Sequence, residues 1–362
     1  MEIYHKCKIT KYSHHFNQQA LLSLLSSLKA DGRLLKFRNN MPIKNPYSNT
    51  YIADLPEPES IDIQAIYKQF INGEIDLICV LGPTASGKTK YAVRLAREIN
   101  RLSGSAAAEI LSADSRQVYR GMDIGTGKDL SEYEDIPYHL IDIVDAGTRY
   151  DLYQYQKAFE QAYKDIIDRG GVPILCGGSG LYLEAATCGY KLPDVPQNPE
   201  LRAELEQKDT AELIDMLSSM KALHNSTDTS SRKRLIRAIE IALWEKEHPV
   251  TKTSFLPKKT YYIGTLVSRE ERVRRIDVRL DARIEEGMID EVKHLIDNGI
   301  PAEDLIYYGL EYKFVTQHVL GILSLDEMKI LLANAIHQFA KRQMTWFRGM
   351  ERKGIQIHWT EV

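Results

Sequence analysis

The sequence predicts an α/β fold, in which a P-loop parallel sheet is flanked by helices and carries an all-helical insertion. Three observations support this prediction. Strand-like apolar runs alternate with helical stretches from about Ile75 to Cys188, as they do in parallel sheets. The segment Gly82–Thr89 fits the phosphate-loop pattern GxxxxGK(S/T) between a strand-like run and a helical stretch. Prolines 193, 196 and 199 interrupt this alternation, and the segment up to about His248 has helical patterns only, which predicts a helical insertion at about 195–255.

The strands are predicted from apolar runs, and two helices from the residues that cap them. The expected strands are Ile75–Leu81, Glu109–Ala113, Tyr138–Val144, Val172–Cys176 and Tyr261–Val267. Asp151 and Gln154 have capping-box spacing and predict a helix that runs to about Asp168. Ser268 and Glu271 have the same spacing and predict a second helix.

The length of 362 residues and an apolar content of 43% allow more than one folded unit. We predict an N-terminal extension of unknown role at residues 1–75, a catalytic core at 76–194 and 256–362, and a helical insertion domain at 195–255. No run approaches the ~18 uncharged apolar residues of a membrane span, and no apolar signal region follows the start. A cytoplasmic protein without membrane contact is therefore expected, and we also predict a monomer. The 4 cysteines lack metal-site spacing, which argues against structural zinc.

The phosphate loop is the strongest functional signal. Its glycines let backbone N–H groups converge on phosphate oxygens, and the helix that follows adds positive potential. Lys88 supplies a cation, and the Thr89 hydroxyl can bind Mg²⁺. The pattern predicts a bound phosphate or pyrophosphate, with Gly82, Pro83, Thr84, Ala85, Ser86, Gly87, Lys88 and Thr89 as its binding residues.

Polar residues follow two other strands, where open α/β sheets bind ligands. Asp114 follows the second strand, where it can act as a general base or hold Mg²⁺ through water. The glycine-rich turn 177–180 follows the fourth strand and allows a ligand to approach closely. In the helix after Ser268, arginines 272, 275, 279 and 283 share one face, which is either a solvated surface or an anion-binding one.

The formal net charge is −3, but the charges are unevenly placed. Basic residues outnumber acidic ones from Asp228 to Glu285 and again from Lys341 to Lys353. Such surfaces bind nucleic acid or are simply solvated, and composition alone leaves both open.

Taken together, these motifs resemble those of the bacterial tRNA dimethylallyltransferase family. The resemblance covers about Asp76 to Trp359, and its segments follow the family's order. They are GPTASGKT at Gly82, SADSRQVYRGMDIGTGK at Ser112, YHLIDI at Tyr138, GGSGLYLEA at Gly177, KRLIRAIE at Lys233 and AKRQMTWFR at Ala340. Some positions differ from the family's usual residues: Gly127 replaces alanine, Asp129 proline, Ser179 threonine and Glu311 glycine.

The resemblance implies transfer of a dimethylallyl group from dimethylallyl pyrophosphate to the exocyclic amine of the adenine 3′ of a tRNA anticodon, with Mg²⁺. It assigns catalytic roles to Asp114 as the general base, Arg275 as the residue that stabilises pyrophosphate, and Thr84 as a pyrophosphate contact. Thr89 matches the hydroxyl on the metal side. The implied tRNA-binding residues are Asp114, Ser115, Arg116, Gln117, Ser179, Arg202, Lys233, Arg234, Arg237, Lys341 and Arg342.

Other functions share part of this pattern. An adenylate isopentenyltransferase would modify a free nucleotide, but the helical insertion and the basic C-terminal segment favour tRNA. A P-loop small-molecule kinase would use the same loop, with Asp114 as a base toward a hydroxyl group. A regulatory GTPase is disfavoured because no NKxD motif is present. A paralogue that binds RNA without catalysis remains an alternative.

Overall fold

The predicted α/β class is confirmed by a six-stranded parallel sheet. The computed structural model describes residues 55–105, 107–190, 192–220, 231–248 and 256–362. In these ranges the strand order of the main sheet is β4-β2-β6-β1-β7-β8, and β3 pairs with β5 in a small second sheet. The strands are β1 Leu77–Leu81, β2 Ala108–Ser112, β3 Tyr119–Arg120, β4 Tyr138–His139, β5 Val144–Asp145, β6 Val172–Gly177, β7 Thr260–Leu266 and β8 Ile357–Glu361.

The central strand β1 leads into the phosphate loop. Ile78 of β1 pairs in parallel register with Ile174 of β6 on one side and with Tyr261 of β7 on the other. Since the neighbouring strands also pair in parallel, their carboxyl ends lie at the same edge of the sheet. That edge carries the residues after β2, the turn after β6 and the phosphate loop, so it is the expected ligand-binding edge.

Helices cover both faces of the sheet. Among the helices of the described residues, none combines the length and the apolar character needed to cross a bilayer. A short 3₁₀ helix spans Leu130–Tyr133. The α-helices are α1 Ile63–Ile71, α2 Lys88–Ser103, α3 Leu152–Asp168, α4 Gly180–Thr187, α5 Pro199–Leu205, α6 Thr210–Met220, α7 Arg232–Glu247, α8 Arg269–Glu285, α9 Met288–Asp297, α10 Ala302–Tyr308, α11 Leu310–Val319 and α12 Leu325–Arg352.

Alternation along the strands divides the apolar residues between two cores. Leu77, Cys79 and Leu81 of β1 face a core that includes residues of α3, α8 and α12. Ile78 and Val80 face the opposite core, which includes residues of α1 and α2. The sheet is therefore buried on both faces, as expected for parallel strands.

Helices α5, α6 and α7 have a separate apolar cluster that includes Leu205, Leu213, Leu235 and Ile239. Residues 221–230 and 249–255 of the predicted insertion, and residues 1–54 of the predicted N-terminal extension, lie outside the described residues. The division into an extension, a core and an insertion domain for tRNA stays a prediction.

The two capped helices are confirmed, but one predicted strand is wrong. Asp151 and Gln154 form both bonds of a capping box at the start of α3, and α8 begins after Ser268 and ends before Gly287. The run 138–144 is divided into β4 and β5, since Leu140 and Asp142 have positive φ values of 66° and 56°. Strand β8 was not predicted; it pairs with β7 at the edge of the sheet.

Candidate active site

The phosphate loop connects β1 to α2 and is tied to β7 by a side chain. Ser86 is buried, and its hydroxyl oxygen lies 2.6 Å from Thr265 Oγ1. Gly87 is the N-cap of α2, with φ of 80°, and Lys88 is the first residue of the helix. The loop thus takes the course from strand to helix on which phosphate binding by backbone N–H groups depends.

Lys88 interacts with Asp114 within the same crevice. Burial lowers the pKa of Lys88, and interactions with Cys176 and Asp114 partly offset that decrease. The turn after β6 lies between the two segments: Ser179 bonds to Ser115, next to Asp114, and a Cβ at Gly178 would lie 3.1 Å from the carbonyl oxygen of Gly82 in the phosphate loop. In one crevice, a carboxylate can accept a proton while an ammonium group stabilises an anionic leaving group.

Asp114 is held by the backbone around it. Its Oδ1 accepts a hydrogen bond from the Arg116 N–H at 2.9 Å. The Ser115 N–H donates to Ser179 Oγ at 3.1 Å, which joins the residues after β2 to the turn after β6. The carboxylate is thereby oriented through one of its two oxygens before any substrate binds.

Gln117 connects β2 to the loop at Gly127. Its Oε1 accepts from Ser112 Oγ, and its Nε2 donates to the Gly127 carbonyl oxygen, each at 3.1 Å. Both ends of this buried amide therefore bond to the protein. The predicted contact of Gln117 with RNA stays a prediction.

Arg275 of α8 lies beside the start of α2, at the end of the phosphate loop. Its Nη1 lies 3.9 Å from the position that a Cβ would take at Gly87. Its Nε donates to Glu271 Oε1 at 2.8 Å, and Arg274 bonds to the same carboxylate at 2.7 Å. Arg275 therefore lies where it can reach an anion bound in the phosphate loop, while its neighbour Arg274 is largely exposed.

Arg279 and Arg283 of α8 meet the residues that depart from the family pattern. Asp129 bonds to Arg279 and lies 3.9 Å from Arg283, which also lies 3.9 Å from Glu311. Burial raises the pKa of Glu311 and lowers the pKa of Arg283. A Cβ at Gly127 would lie 1.5 Å from Arg283 Nη2, so an alanine there requires Arg283 to move. Positions 127, 129 and 311, at which the sequence differs from the family's usual residues, thus lie around a charged cluster formed by Arg279, Arg283, Asp129 and Glu311.

This cluster borders a cavity beside the phosphate loop. The cavity has both apolar and charged walls. Its lining residues are Thr84, Ala85, Ile276, Arg279, Leu280, Arg283, Glu311 and Ile336.

The predicted tRNA-binding residues of the helical segment fall into two groups. Lys233 and Arg234 are exposed on α7. Arg202 and Arg237 instead bond to Glu240, whose side chain is only 2% exposed. Because these two arginines neutralise a buried carboxylate, they have a structural role in the absence of RNA. Their contacts with tRNA stay predictions.

The C-terminal helix α12 contributes exposed and buried residues to the same region. Lys341 and Arg342 are exposed, as expected of residues that contact phosphates. Gln343 is buried and bonds to the phosphate loop, and it was missed by the sequence reasoning. Gln343 lies within AKRQMTWFR, and membership of that segment could have indicated a role at the site. A glutamine among basic residues is, however, typical of a solvated helix face.

The fold and this edge of the sheet define a phosphate-loop α/β protein in which an arginine lies beside the loop and an aspartate follows a nearby strand. A family model described as IPP transferase matches residues 117–350. The chain belongs to this family.

Similar proteins agree with that assignment. The chain is 56% identical over 290 residues to tRNA dimethylallyltransferase 2 of Porphyromonas gingivalis, covering 79% of this chain and 94% of the relative. It is 52% identical over 293 residues to tRNA dimethylallyltransferase 2 of Bacteroides fragilis, covering 80% and 94%. The solved structure of the full-length tRNA isopentenylpyrophosphate transferase from Bacillus halodurans has a TM-score of 0.56 and 34% identity, covering 79% of this chain and 89% of that chain.

Proposed function

We propose that the chain transfers the dimethylallyl group of dimethylallyl pyrophosphate to the N6 amine of the adenine 3′-adjacent to a tRNA anticodon. The products are N6-isopentenyladenosine in tRNA and pyrophosphate. The observation that carries the proposal is the arrangement around the phosphate loop, where Arg275 lies beside Gly87 and the turn after β6 joins the loop to the segment that carries Asp114. Membership of the IPP transferase family and the names of the similar proteins support the same reaction.

The reaction forms one bond and breaks one. The adenine N6 attacks the allylic carbon that carries the pyrophosphate, and the carbon–oxygen bond breaks with its electron pair going to the leaving group. Asp114 accepts the proton that N6 loses. Lys88, Arg275 and the N–H groups of the phosphate loop stabilise the negative charge that develops on pyrophosphate, and Thr84 contacts it from the same loop.

The adenine must leave the anticodon loop to reach this crevice, because a stacked base cannot approach a carbon held beside the phosphate loop. Arg116, Gln117 and Ser179 then contact the extruded nucleotide or its neighbours. Exposed lysines and arginines of α7 and α12 supply phosphate contacts, which position the RNA without reading its sequence.

The phosphate loop also suits Mg²⁺. Within the described part of the chain, no group of three or more His, Cys, Asp or Glu side chains could bind a metal by itself. Mg²⁺ often binds through few protein ligands together with substrate phosphates and water, so a sparse protein site is compatible with it. Thr89, in the first turn of α2, would hold the ion, which when bound would neutralise charge on the pyrophosphate. We place the enzyme in the cytoplasm as a monomer.

A defined RNA substrate tests the proposal. The protein is incubated with dimethylallyl pyrophosphate and an unmodified anticodon stem-loop, and the RNA is then digested to nucleosides for mass spectrometry. We expect one adenosine per RNA to gain a dimethylallyl group. A matched stem-loop with guanine at the position 3′ of the anticodon should remain unmodified, and modification of that control would contradict the assigned target base.

A further inference from the structure

Gln343 of α12 bridges two loops of the proposed active site. Its side chain is buried, and its Oε1 accepts a hydrogen bond from the Thr84 N–H at 2.8 Å. Its Nε2 donates to the Gly178 carbonyl oxygen at 2.9 Å. One amide therefore satisfies a donor of the phosphate loop and an acceptor of the turn after β6.

The turn after β6 is shaped for this close approach. A Cβ at Gly178 would lie 2.4 Å from Gln343 Nε2, and a Cβ at Gly180 would lie 2.2 Å from Trp346 Cδ1. Only glycine leaves room for α12 at these two positions. The bridge is thus part of how α12 packs against the turn, because Trp346 follows Gln343 by one helical turn.

The same turn holds the segment that carries Asp114. Ser179 Oγ accepts from the Ser115 N–H at 3.1 Å, and the Ser179 N–H donates to the Ala113 carbonyl oxygen at 3.2 Å. These bonds lie on both sides of Asp114. A continuous set of hydrogen bonds consequently connects Thr84, through Gln343 and the turn, to the segment that carries the proposed base.

We propose that Gln343 is a positioning residue that sets the separation between the phosphate loop and Asp114. This inference rests on the proposed function, in which the donor lies on the phosphate loop and the acceptor lies beside Asp114. Transfer requires the two substrates to meet within van der Waals reach, and a displacement of about 1 Å lowers a rate by about 100-fold. Both side-chain bonds of Gln343 are made to the protein backbone, so its removal should impair the reaction rather than binding.

The chain offers a matched control in Gln156 of α3. Gln156 is also buried, and its Nε2 donates to two backbone carbonyl oxygens, those of Ala185 at 2.8 Å and Tyr190 at 2.9 Å. It has no bond to the phosphate loop. Replacement of either glutamine by methionine removes a buried amide of similar size, so both variants should lose stability.

The test measures single-turnover transfer to tRNA with both substrates saturating, together with donor affinity, tRNA affinity and melting temperature. Gln343→Met should lower the rate by about 10- to 100-fold while both affinities stay unchanged. Gln156→Met should lower the melting temperature without changing the rate of the folded enzyme. An unchanged rate in Gln343→Met, or equal rate losses in the two variants, would overturn the inference.

Gln343→Glu adds a readout that packing alone would not give. The ionised carboxylate can accept from the Thr84 N–H but has no hydrogen to donate to the Gly178 carbonyl, whereas the protonated form can do both. Burial raises the pKa of a carboxyl group and so favours its protonated form. The rate of Gln343→Glu relative to wild type should rise as pH falls, and a pH-independent ratio would contradict the bridge. If the wild-type protein transfers no dimethylallyl group, the proposed function fails and this inference fails with it.

Discussion

Arg275 is fixed on α8 by Glu271, one helical turn earlier. The Arg275 Nε donates to Glu271 Oε1 at 2.8 Å, while its Nη1 is directed toward Gly87 at the start of α2. Hydrogen bonds from Arg274 and Arg275 lower the pKa of Glu271 to about 2. Glu271 is therefore ionised at any pH at which the enzyme would be assayed, and the orientation of Arg275 should not depend on pH there.

Arg275→Ala should lower the transfer rate by about 100-fold, because a donor directed at the developing charge on pyrophosphate is lost. The affinity for tRNA should remain unchanged. Single-turnover transfer and a tRNA binding isotherm check both parts. Arg274→Ala is the matched control, since Arg274 bonds to the same Glu271 but is 65% exposed. Equal losses in the two variants would mean that α8 contributes only general positive charge.

Asp114→Ala should lower the transfer rate by about 100-fold or more, as expected when a general base is removed. The phosphate loop and the basic surfaces are unaltered, so binding of RNA and of dimethylallyl pyrophosphate should persist. Asp145→Ala is a suitable control because Asp145 is an exposed aspartate that pairs with Arg120. Wild-type transfer by the Asp114 variant would remove this residue from the proposed mechanism.

Glu240 should make the helical segment sensitive to acid. Burial raises the pKa of Glu240, but bonds from Arg202, the Asn198 N–H and Arg237 outweigh that effect, and the net pKa is lowered from 4.5. Its stabilising contribution is therefore complete above pH 4.5 and is lost as pH falls through the lowered value.

Glu240→Gln should reduce the free energy of unfolding by about 1–3 kcal/mol at neutral pH and should weaken the loss of stability in acid. Denaturant unfolding across the acidic range measures both effects. Glu206→Gln serves as the control, because Glu206 pairs with Arg232 at the surface and is 51% exposed. The interpretation would be wrong if Glu240→Gln had the same acid sensitivity as wild type.

Lys341→Ala should weaken tRNA binding and reduce the slope of log affinity against log salt concentration by about 0.7–0.9, the change expected for one lost phosphate contact. The rate of transfer from bound substrates should be unchanged. Lys329→Ala on the same helix is the control, because Lys329 pairs with Asp281 at 2.6 Å. An unchanged salt slope in Lys341→Ala would place this lysine outside the RNA interface.

Features that depend on neighbouring residues in the chain were predictable. The phosphate loop requires glycines at fixed spacing, and the start of α3 is set by Asp151 and Gln154 through bonds made within one turn. Asp114 could be placed near the loop because the carboxyl ends of parallel strands share an edge. These predictions needed no knowledge of how distant segments pack.

Features that depend on distant packing were not predictable. Gln343 is 259 residues from Thr84 in sequence, and no local pattern indicates which face of α12 contacts the phosphate loop. The sequence shows Asp129 and Glu311 as two separate departures from the family's usual residues. It does not show that both lie near Arg283, because the sequence alone did not decide whether the arginines of that helix face solvent or bind an anion. The break within 138–144 depends on how Ile143 and Val144 bond to Val118.

The most direct test of the central claim is transfer of label from radiolabelled dimethylallyl pyrophosphate, offered to unmodified tRNA and to free AMP, with and without Mg²⁺. We predict that label appears in tRNA alone and that omission of Mg²⁺ lowers the yield. Label on AMP would indicate an adenylate isopentenyltransferase. No transfer to either acceptor, with phosphoryl transfer from ATP to a small molecule instead, would contradict the account and indicate a kinase.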